Sequence, residues 1–368
     1  MPTRSNSNSA RKVSNLATRS ELKFSPNVVR PSSYSAPISE TLGNHRDHAY
    51  ADSETSSGDE SAASVKDVAA DYAFAFDIDG VLLRGGEVIP EAITALEYLN
   101  GDNPSGIKVP YIFVTNVCTP LPEFSGQMSV NVDIQGGGKT EQERCMQLSK
   151  QLQVSVSPDQ FICGHTPMRA MANVHKTILV VGGEGEKCRH VAETYGFSDV
   201  VTPGDIMKWK SSVTPFRSLT EQEHRNSRER DFSTVCIDAI FVFADSRHWG
   251  DDAQIILELL MSKNGRMGTL SDTFDEGPPL FFSHNDFVWR TDYDLNRLGM
   301  GALRCIIEAL FKKQTGKELA VTSYGKPQLG TFDYATRVLA QWREEVFGAT
   351  RAPRTVYFVG DTPESGMH

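Results

Sequence analysis

At 368 residues, with 39% hydrophobic and 23% charged side chains, the chain has room for two domains and a sizeable core, and the composition of a globular protein. A formal net charge of −10 argues against a nucleic-acid backbone as the main partner, and no stretch is apolar for long enough to span a bilayer. The six cysteines form no Cys-x-x-Cys pair and the nine histidines no His-Glu-x-x-His, so a disulfide framework and a zinc site lack support and reduced thiols are expected.

Residues 1–70 are rich in Ser, Asn and Ala without apolar periodicity and read as a disordered tail. Within its first 30 residues Arg4, Arg11, Lys12, Arg19, Lys23 and Arg30 stand against the single acid Glu21. That balance is compatible with a mitochondrial transit peptide and equally with a plain tail; no apolar core of a secretory signal is present. The tail turns acidic and Ser-rich around Asp52–Glu60, a solvated linker.

The run from Tyr72 to Leu83 (YAFAFDIDGVLL) then reads as a core strand that delivers Asp77 and Asp79 into a turn opened by Gly80. Residues two apart share a strand face, so both acids converge on one site while Ile78 points away. Neighbouring carboxylates repel, and a divalent cation, best Mg²⁺ for hard oxygen ligands, makes their company tolerable. A calcium loop is excluded because Val81 and Leu82 occupy the positions that need an oxygen ligand and a glycine.

Pro90–Leu99 reads as a helix with Pro in its first turn, and Val109–Val114 as a second strand ending in Thr115-Asn116. A hydroxyl and backbone N–H groups beside a strand end that carries acids suit a phosphoryl oxygen. Residues 117–135 fit neither helix nor strand. The Gly136-Gly-Gly-Lys-Thr140 run is no nucleotide loop, since Asp133 stands where the leading glycine belongs. Thr140, with Glu143 three on, caps a helix to Leu152. A short strand at Phe161–Gly164, a helical turn at Met168–Ala172, a strand at Thr177–Val181 and a helix through Tyr195 follow. The Gly182–Gly185 cluster lacks a dinucleotide fingerprint, because Cys188 takes its last glycine position. This alternation predicts a parallel sheet with helices on both faces.

From about 200 to 321 the rhythm loosens. Residues 208–233 read as polar loop, Ala239–Ala244 and Pro279–Phe282 as strands, and Asp251–Lys263 and Gly301–Lys313 as helices, enough for a separate α/β lobe. Gly325-Lys326-Pro327 then precedes a helix at Leu329–Phe347, and the strand Val356–Val359 ends in Gly360-Asp361. Ligands of an open α/β sheet gather at such carboxyl ends.

Four pieces in this order resemble the haloacid dehalogenase-like hydrolase superfamily: Asp77-Ile-Asp79-Gly80, Thr115-Asn116, Gly325-Lys326-Pro327 and Gly360-Asp361-Thr-Pro-Glu-Ser365. The lobe between the second and third, with Gly182-Gly-Glu-Gly185, Asp245-Ser-Arg-His-Trp-Gly250 and Asn285-Asp-Phe-Val-Trp-Arg290, looks like subclass IIA in a eukaryotic, often mitochondrial branch. Some fungal relatives of that branch are placed near phospholipid synthesis. The resemblance implies an α/β fold, a Rossmann-like doubly wound parallel-sheet core with an inserted α/β (C2-type) cap. Core would span 71–200 and 322–368, and cap 201–321.

It implies a Mg²⁺-dependent phosphatase acting on a small phosphorylated metabolite or lipid-derived phosphate. Asp77 is then the nucleophile, Asp79 the proton donor and acceptor, and Thr115, Asn116 and Lys326 the phosphate-binding residues. Asp77, Asp79 (through its backbone carbonyl) and Asp361 are the metal ligands, and Asn285, Asp286 and Arg290 of the cap would touch the leaving group. Mitochondrial location is expected, with the cytoplasm as the alternative. Two departures stand out. Gly366 replaces the family's second acid after Ser365, and the expected later strand and helices do not follow His368. Residues 117–135 interrupt the usual continuation from Asn116 to Gly136; Val codons begin GT and one Gln codon ends AG, so a retained intron is expected there, with a real insertion beside the site as the alternative, and a gene-model fault at the end. The competing readings are an impaired binding or regulatory protein of the same fold, and phosphoryl transfer to an acceptor other than water.

Overall fold

The structure is a computed structural model and describes residues 71–84, 86–116, 140–289 and 293–361. The 117–135 stretch, Arg290 and the Ser365-Gly366 departure lie outside these residues. All of the described residues fall within one compact unit, 60–368.

In chain order the elements are β1 (Tyr72–Phe76), β2 (Leu83–Arg84), β3 (Glu87–Val88), α1 (Pro90–Leu99), β4 (Tyr111–Val114), α2 (Glu141–Leu152), β5 (Phe161–Ile162), β6 (Thr177–Val181), α3 (Lys187–Thr194), β7 (Asp199–Val201) and α4 (Pro203–Trp209). There follow α5 (Glu221–Asn226), β8 (Ala239–Val242), α6 (Trp249–Leu260), β9 (Leu280–Phe282), β10 (Val288–Trp289), β11 (Arg297–Leu298), α7 (Met300–Thr315), β12 (Val321–Ser323), α8 (Leu329–Phe347) and β13 (Thr355–Val359).

Two parallel sheets organise them. The first has the order β13-β1-β4-β5, the second β12-β9-β8-β6-β7. β1 is central to the first and pairs with β13 from Tyr72↔Thr355 to Phe76↔Val359. Its alternation sorts side chains by face. Ala73 and Ala75 pack with Ile112, Val114 and Ile162 under Ala335 and Leu339 of α8. Phe76, Tyr111 and Phe113 pack on the other face under Leu96 and Leu99 of α1 and Leu148 and Leu152 of α2. Helices therefore cover both faces, as the alternating pattern predicts.

The second sheet is built alike. Ile178, Val180 and Phe241 face α3, whereas Leu179, Val181, Ile240 and Val242 face α6 and α7. Its membership corrects the expected domain boundary at residue 200. β6 and β7 pair with each other and β6 with β8, so 177–201 belongs to the second sheet and not to the first. The chain crosses from one sheet to the other after β5 and returns after β12.

The expectation of reduced thiols also needs correction. Cys145, Cys188, Cys236 and Cys305 are free, but Cys163 is disulfide-bonded.

Candidate active site

The first sheet reverses its winding at β1: later strands go to one side through β4 and β5, and β13 returns to the other. A crevice at the carboxyl ends of strands flanking such a switch point is where an α/β sheet takes its ligand. Asp77 follows β1 there, Asp361 follows β13, and the backbone N–H of Asp77 donates to the Val359 carbonyl at 2.8 Å.

The Asp77–Leu83 turn is held by its own backbone. The N–H groups of Val81, Leu82 and Leu83 converge on the Ile78 carbonyl, and Gly80 N–H donates to Leu83 O at 2.7 Å. Ile78 is fully buried and anchors the turn from beneath. Gly80 adopts φ +86°, and a Cβ there would lie 2.5 Å from Asp361 Oδ2. Only glycine meets both demands, and the close approach lays the Asp361 carboxylate along the turn that carries Asp77 and Asp79.

Asp77 is buried, accepts from Ile78 N–H at 2.7 Å through Oδ1 and pairs with Lys326 Nζ through Oδ2 at 2.5 Å. Lys326 is itself 4% exposed. Burial raises the Asp77 carboxyl above its usual range despite Lys326, and Asp361 adds to the rise. Burial pushes Asp79 up to about 6, against the pull of the Arg144 guanidinium and with the push of Asp77 and Asp361. Three carboxylates thus crowd one another with a single lysine paired among them. Hard oxygens with unneutralised charge are the donor set of Mg²⁺, so the residues present fit that ion.

Thr115 is buried at the end of β4, where its N–H donates to Ile162 O at 2.9 Å. Asn116 beside it is a junction. Its amide donates to Asp286 Oδ1 (2.8 Å) and to the Lys326 carbonyl (3.1 Å), and its Oδ1 accepts from Lys326 N–H. Six of the expected site residues, 77, 79, 116, 286, 326 and 361, are therefore connected by bonds, packing or field around one crevice, and Thr115 directly precedes Asn116 in the chain. Asp286 joins it through Asn116 and through His284, whose Nδ1 lies 3.3 Å from Asp286 Oδ2. Asn285 is half-buried, with its carbonyl against Gly301.

Two buried residues near the site escaped the sequence reading. Arg144 is 1% exposed on the inner stripe of α2, beside Cys145, Leu148 and Leu152. A charge on an apolar helical stripe was its signal. His284 follows β9 and carried no signal of its own in the sequence. Elsewhere, Glu141, Cys163 and His165 bring ligand-type atoms within 4.8 Å of one another. Glu141 is occupied there by Thr166, Arg169 and Tyr195, and the Cys163 sulfur is in a disulfide, so this cluster is a poor metal centre.

Comparison with known proteins bears on the family of the chain. Residues 74–134 match the family model described as haloacid dehalogenase-like hydrolase. The chain is 37% identical over 316 residues to a mitochondrial hydrolase of Saccharomyces cerevisiae, covering 80% of this chain and 82% of that one. It is 39% identical over 307 residues to a cardiolipin synthase (CMP-forming) / mitochondrial hydrolase fusion protein of Schizosaccharomyces pombe. That match covers 83% of this chain but 47% of the fusion, so the chain spans about half the fusion's length. Among solved structures, a thermostable p-nitrophenylphosphatase of Bacillus stearothermophilus is 17% identical with a TM-score of 0.42, over 78% of this chain and 86% of that one.

Proposed function

The chain belongs to the haloacid dehalogenase-like hydrolases, and we propose that within them it is a Mg²⁺-dependent phosphatase of subclass IIA type, acting on a small phosphorylated metabolite. The observation that carries this reading is the convergence of Asp77, Lys326 and Asp361 on the Gly80 turn. Hydrolysis of a phosphate ester asks for alignment and charge neutralisation more than for elaborate covalent machinery. A buried carboxylate, a buried ammonium and a second acid at adjoining strand ends meet that demand.

Asp77 attacks phosphorus through a carboxylate oxygen. The new O–P bond makes an aspartyl-phosphate while the ester P–O bond breaks, which splits one hard displacement into two. Asp79, held at about 6, is poised to give its proton to the departing oxygen. It takes one back from the water that attacks the aspartyl-phosphate and frees Asp77. Before substrate arrives, Lys326 is paired with Asp77; a phosphoryl group with more negative charge draws that ammonium to its own oxygens. Thr115 donates beside it from the end of β4. Asp77, the Asp79 carbonyl and Asp361 are the groups that would hold Mg²⁺, which when bound supplies charge neutralisation and alignment of the phosphoryl oxygens. The carboxyl edge of the second sheet faces this crevice through Asn116 and Asp286, which supports its role as a cap over the leaving group.

Mitochondrial location belongs to the same reading, supported by the basic, acid-poor start of the chain and by two relatives named as mitochondrial hydrolases. The test is a panel of phosphate esters with Mg²⁺ and with chelator. Hydrolysis is expected with the metal alone, and Asp77→Asn is expected to lower kcat by at least about 10³-fold, as loss of a nucleophile does. Activity that survives Asp77→Asn rejects the nucleophile. Inactivity of the parent protein on every ester moves the weight to a binding or regulatory protein.

A further inference from the structure

His284 lies at the carboxyl end of β9, 4% exposed, with an acid on each side. Nδ1 is 3.3 Å from Asp286 Oδ2, and Nε2 is 3.9 Å from Asp245 Oδ2 beyond the end of β8. Nδ1 is also 3.4 Å from the Asp286 N–H. A ring nitrogen cannot donate to the carboxylate and accept from the amide at once, and the two flanking acids favour donation. Burial alone would push His284 down; the bond to Asp286 and the fields of Asp286 and Asp245 overcome it and hold the imidazole above its ordinary range. Burial likewise works against the Asp286 carboxylate, and His284, Asn116 and Lys326 keep it below the usual range.

The pair does not end in itself. Asp286 Oδ1 takes the Asn116 amide, and Asn116 is bonded twice to the Lys326 backbone. The Lys326 side chain reaches Asp77. The His284 backbone also closes on this run, since a Cβ on Gly325 would fall 2.7 Å from His284 Cβ and 2.9 Å from Asn116 Oδ1. An unbroken series of contacts therefore leads from the second sheet, through one histidine, to the lysine at the crevice.

We propose that His284 is a positioning residue: it fixes the orientation of Asp286, Asp286 fixes Asn116, and Asn116 holds the backbone from which Lys326 reaches the phosphoryl group. The proposal rests on the phosphatase reading for its kinetic consequence but not for its structural one. His284 touches no reacting atom. Asp286 has both oxygens engaged, so its part here is to transmit position from the second sheet to the first. An acid left buried without His284 would turn toward water or toward Lys326 itself, and either move misplaces the ammonium by the ångström that phosphoryl transfer notices.

The experiment compares His284→Leu with His284→Asn, whose amide nitrogen sits near the place of Nδ1. His284→Leu is expected to raise KM for a hydrolysed phosphate ester and weaken inhibition by inorganic phosphate about tenfold, while His284→Asn stays within about threefold of the parent. A double-mutant cycle of His284→Leu with Asn116→Ala is expected to be strongly non-additive, because the two act through one carboxylate. Additive effects, or equal behaviour of Leu and Asn, overturn the proposal. Hydrogen exchange supplies a readout that needs no turnover: residues 324–328 are expected to exchange faster in His284→Leu while α6 is unchanged, and unaltered exchange there overturns it as well. A parent protein inert toward every ester would thus defeat the phosphatase reading without touching the exchange result. If His284→Leu does not fold, Asp286→Asn carries the same test, with the same tenfold loss and the same faster exchange expected.

Discussion

The Asp79 carboxyl illustrates how a site works against the fold that carries it. Its folded value of about 6 lies above the 3.8 of a free carboxyl. Between those values the folded chain binds a proton that the unfolded chain has released, so stability from this group is full below about pH 4 and is lost as pH rises through 6. Asp79→Asn is accordingly expected to stabilise the chelated protein by ~1–3 kcal/mol at pH 7, with the difference vanishing near pH 4; chemical denaturation at the two pH values checks it. Gly80→Ala works by a different route. Its methyl would meet the Asp361 carboxylate, in a backbone conformation at φ +86° that alanine resists. At least about a tenfold loss of Mg²⁺ affinity is expected, read as the concentration of Mg²⁺ needed to raise Tm. The positions of Asp77, Asp79 and Asp361 near strand ends were legible in the sequence because each sits within a few residues of an apolar run that marks its strand, and Lys326 stood out between Gly325 and Pro327 ahead of α8. Arg144 and His284 were not: Arg144 meets Asp79 from far away in the chain, and His284, although its nearer acid Asp286 is two residues on, owes its burial and its second acid Asp245 to the packing of distant segments.

At the scale of elements, α2 shows local instructions agreeing with the global fold. Thr140 caps the helix with its side chain on Glu143 N–H, and Glu143 returns the bond to Thr140 N–H at 2.8 Å. Thr140→Ala removes the side-chain half of this box, leaving the backbone N–H of residue 140 on Glu143, and is expected to cost about 1 kcal/mol, measurable by urea denaturation, with the phosphate-ester KM unchanged. The cap was readable from Thr140 and Glu143 alone, as α8 was from its apolar period. A similar box at Thr220 and Glu223 starts α5 inside a stretch whose polarity suggests loop, because six residues are too few to display a period. The three-residue strands β7 and β12 were missed for the same reason. Local pattern also cannot say which sheet an apolar run joins. Thr177–Val181 reads the same beside β5 as beside β8, and its true neighbours are β7 and β8.

Across the whole molecule, the two sheets are tied by buried polar groups as well as by chain. Glu141 of α2 accepts from Thr166 Oγ1 at 2.8 Å and from the Tyr195 hydroxyl at 2.6 Å, and Arg169 adds a third bond at 3.0 Å. Tyr195 adjoins α3 on the second sheet, and His165 Nδ1 lies 2.7 Å from its hydroxyl. Tyr195→Phe removes one bond from His165 and one from the Glu141 oxygen that keeps Thr166, an expected loss of about 1 kcal/mol, checked by denaturation with turnover measured alongside. The two crossings between sheets share another neighbour. A Cβ on Gly164 would lie 2.8 Å from the Asn116 carbonyl, and one on Gly325 would lie 2.9 Å from the Asn116 side chain. Both straps therefore bear on a single residue. In mechanical terms this is a pivot: a body held by two bands at one point resists sliding but can still tilt.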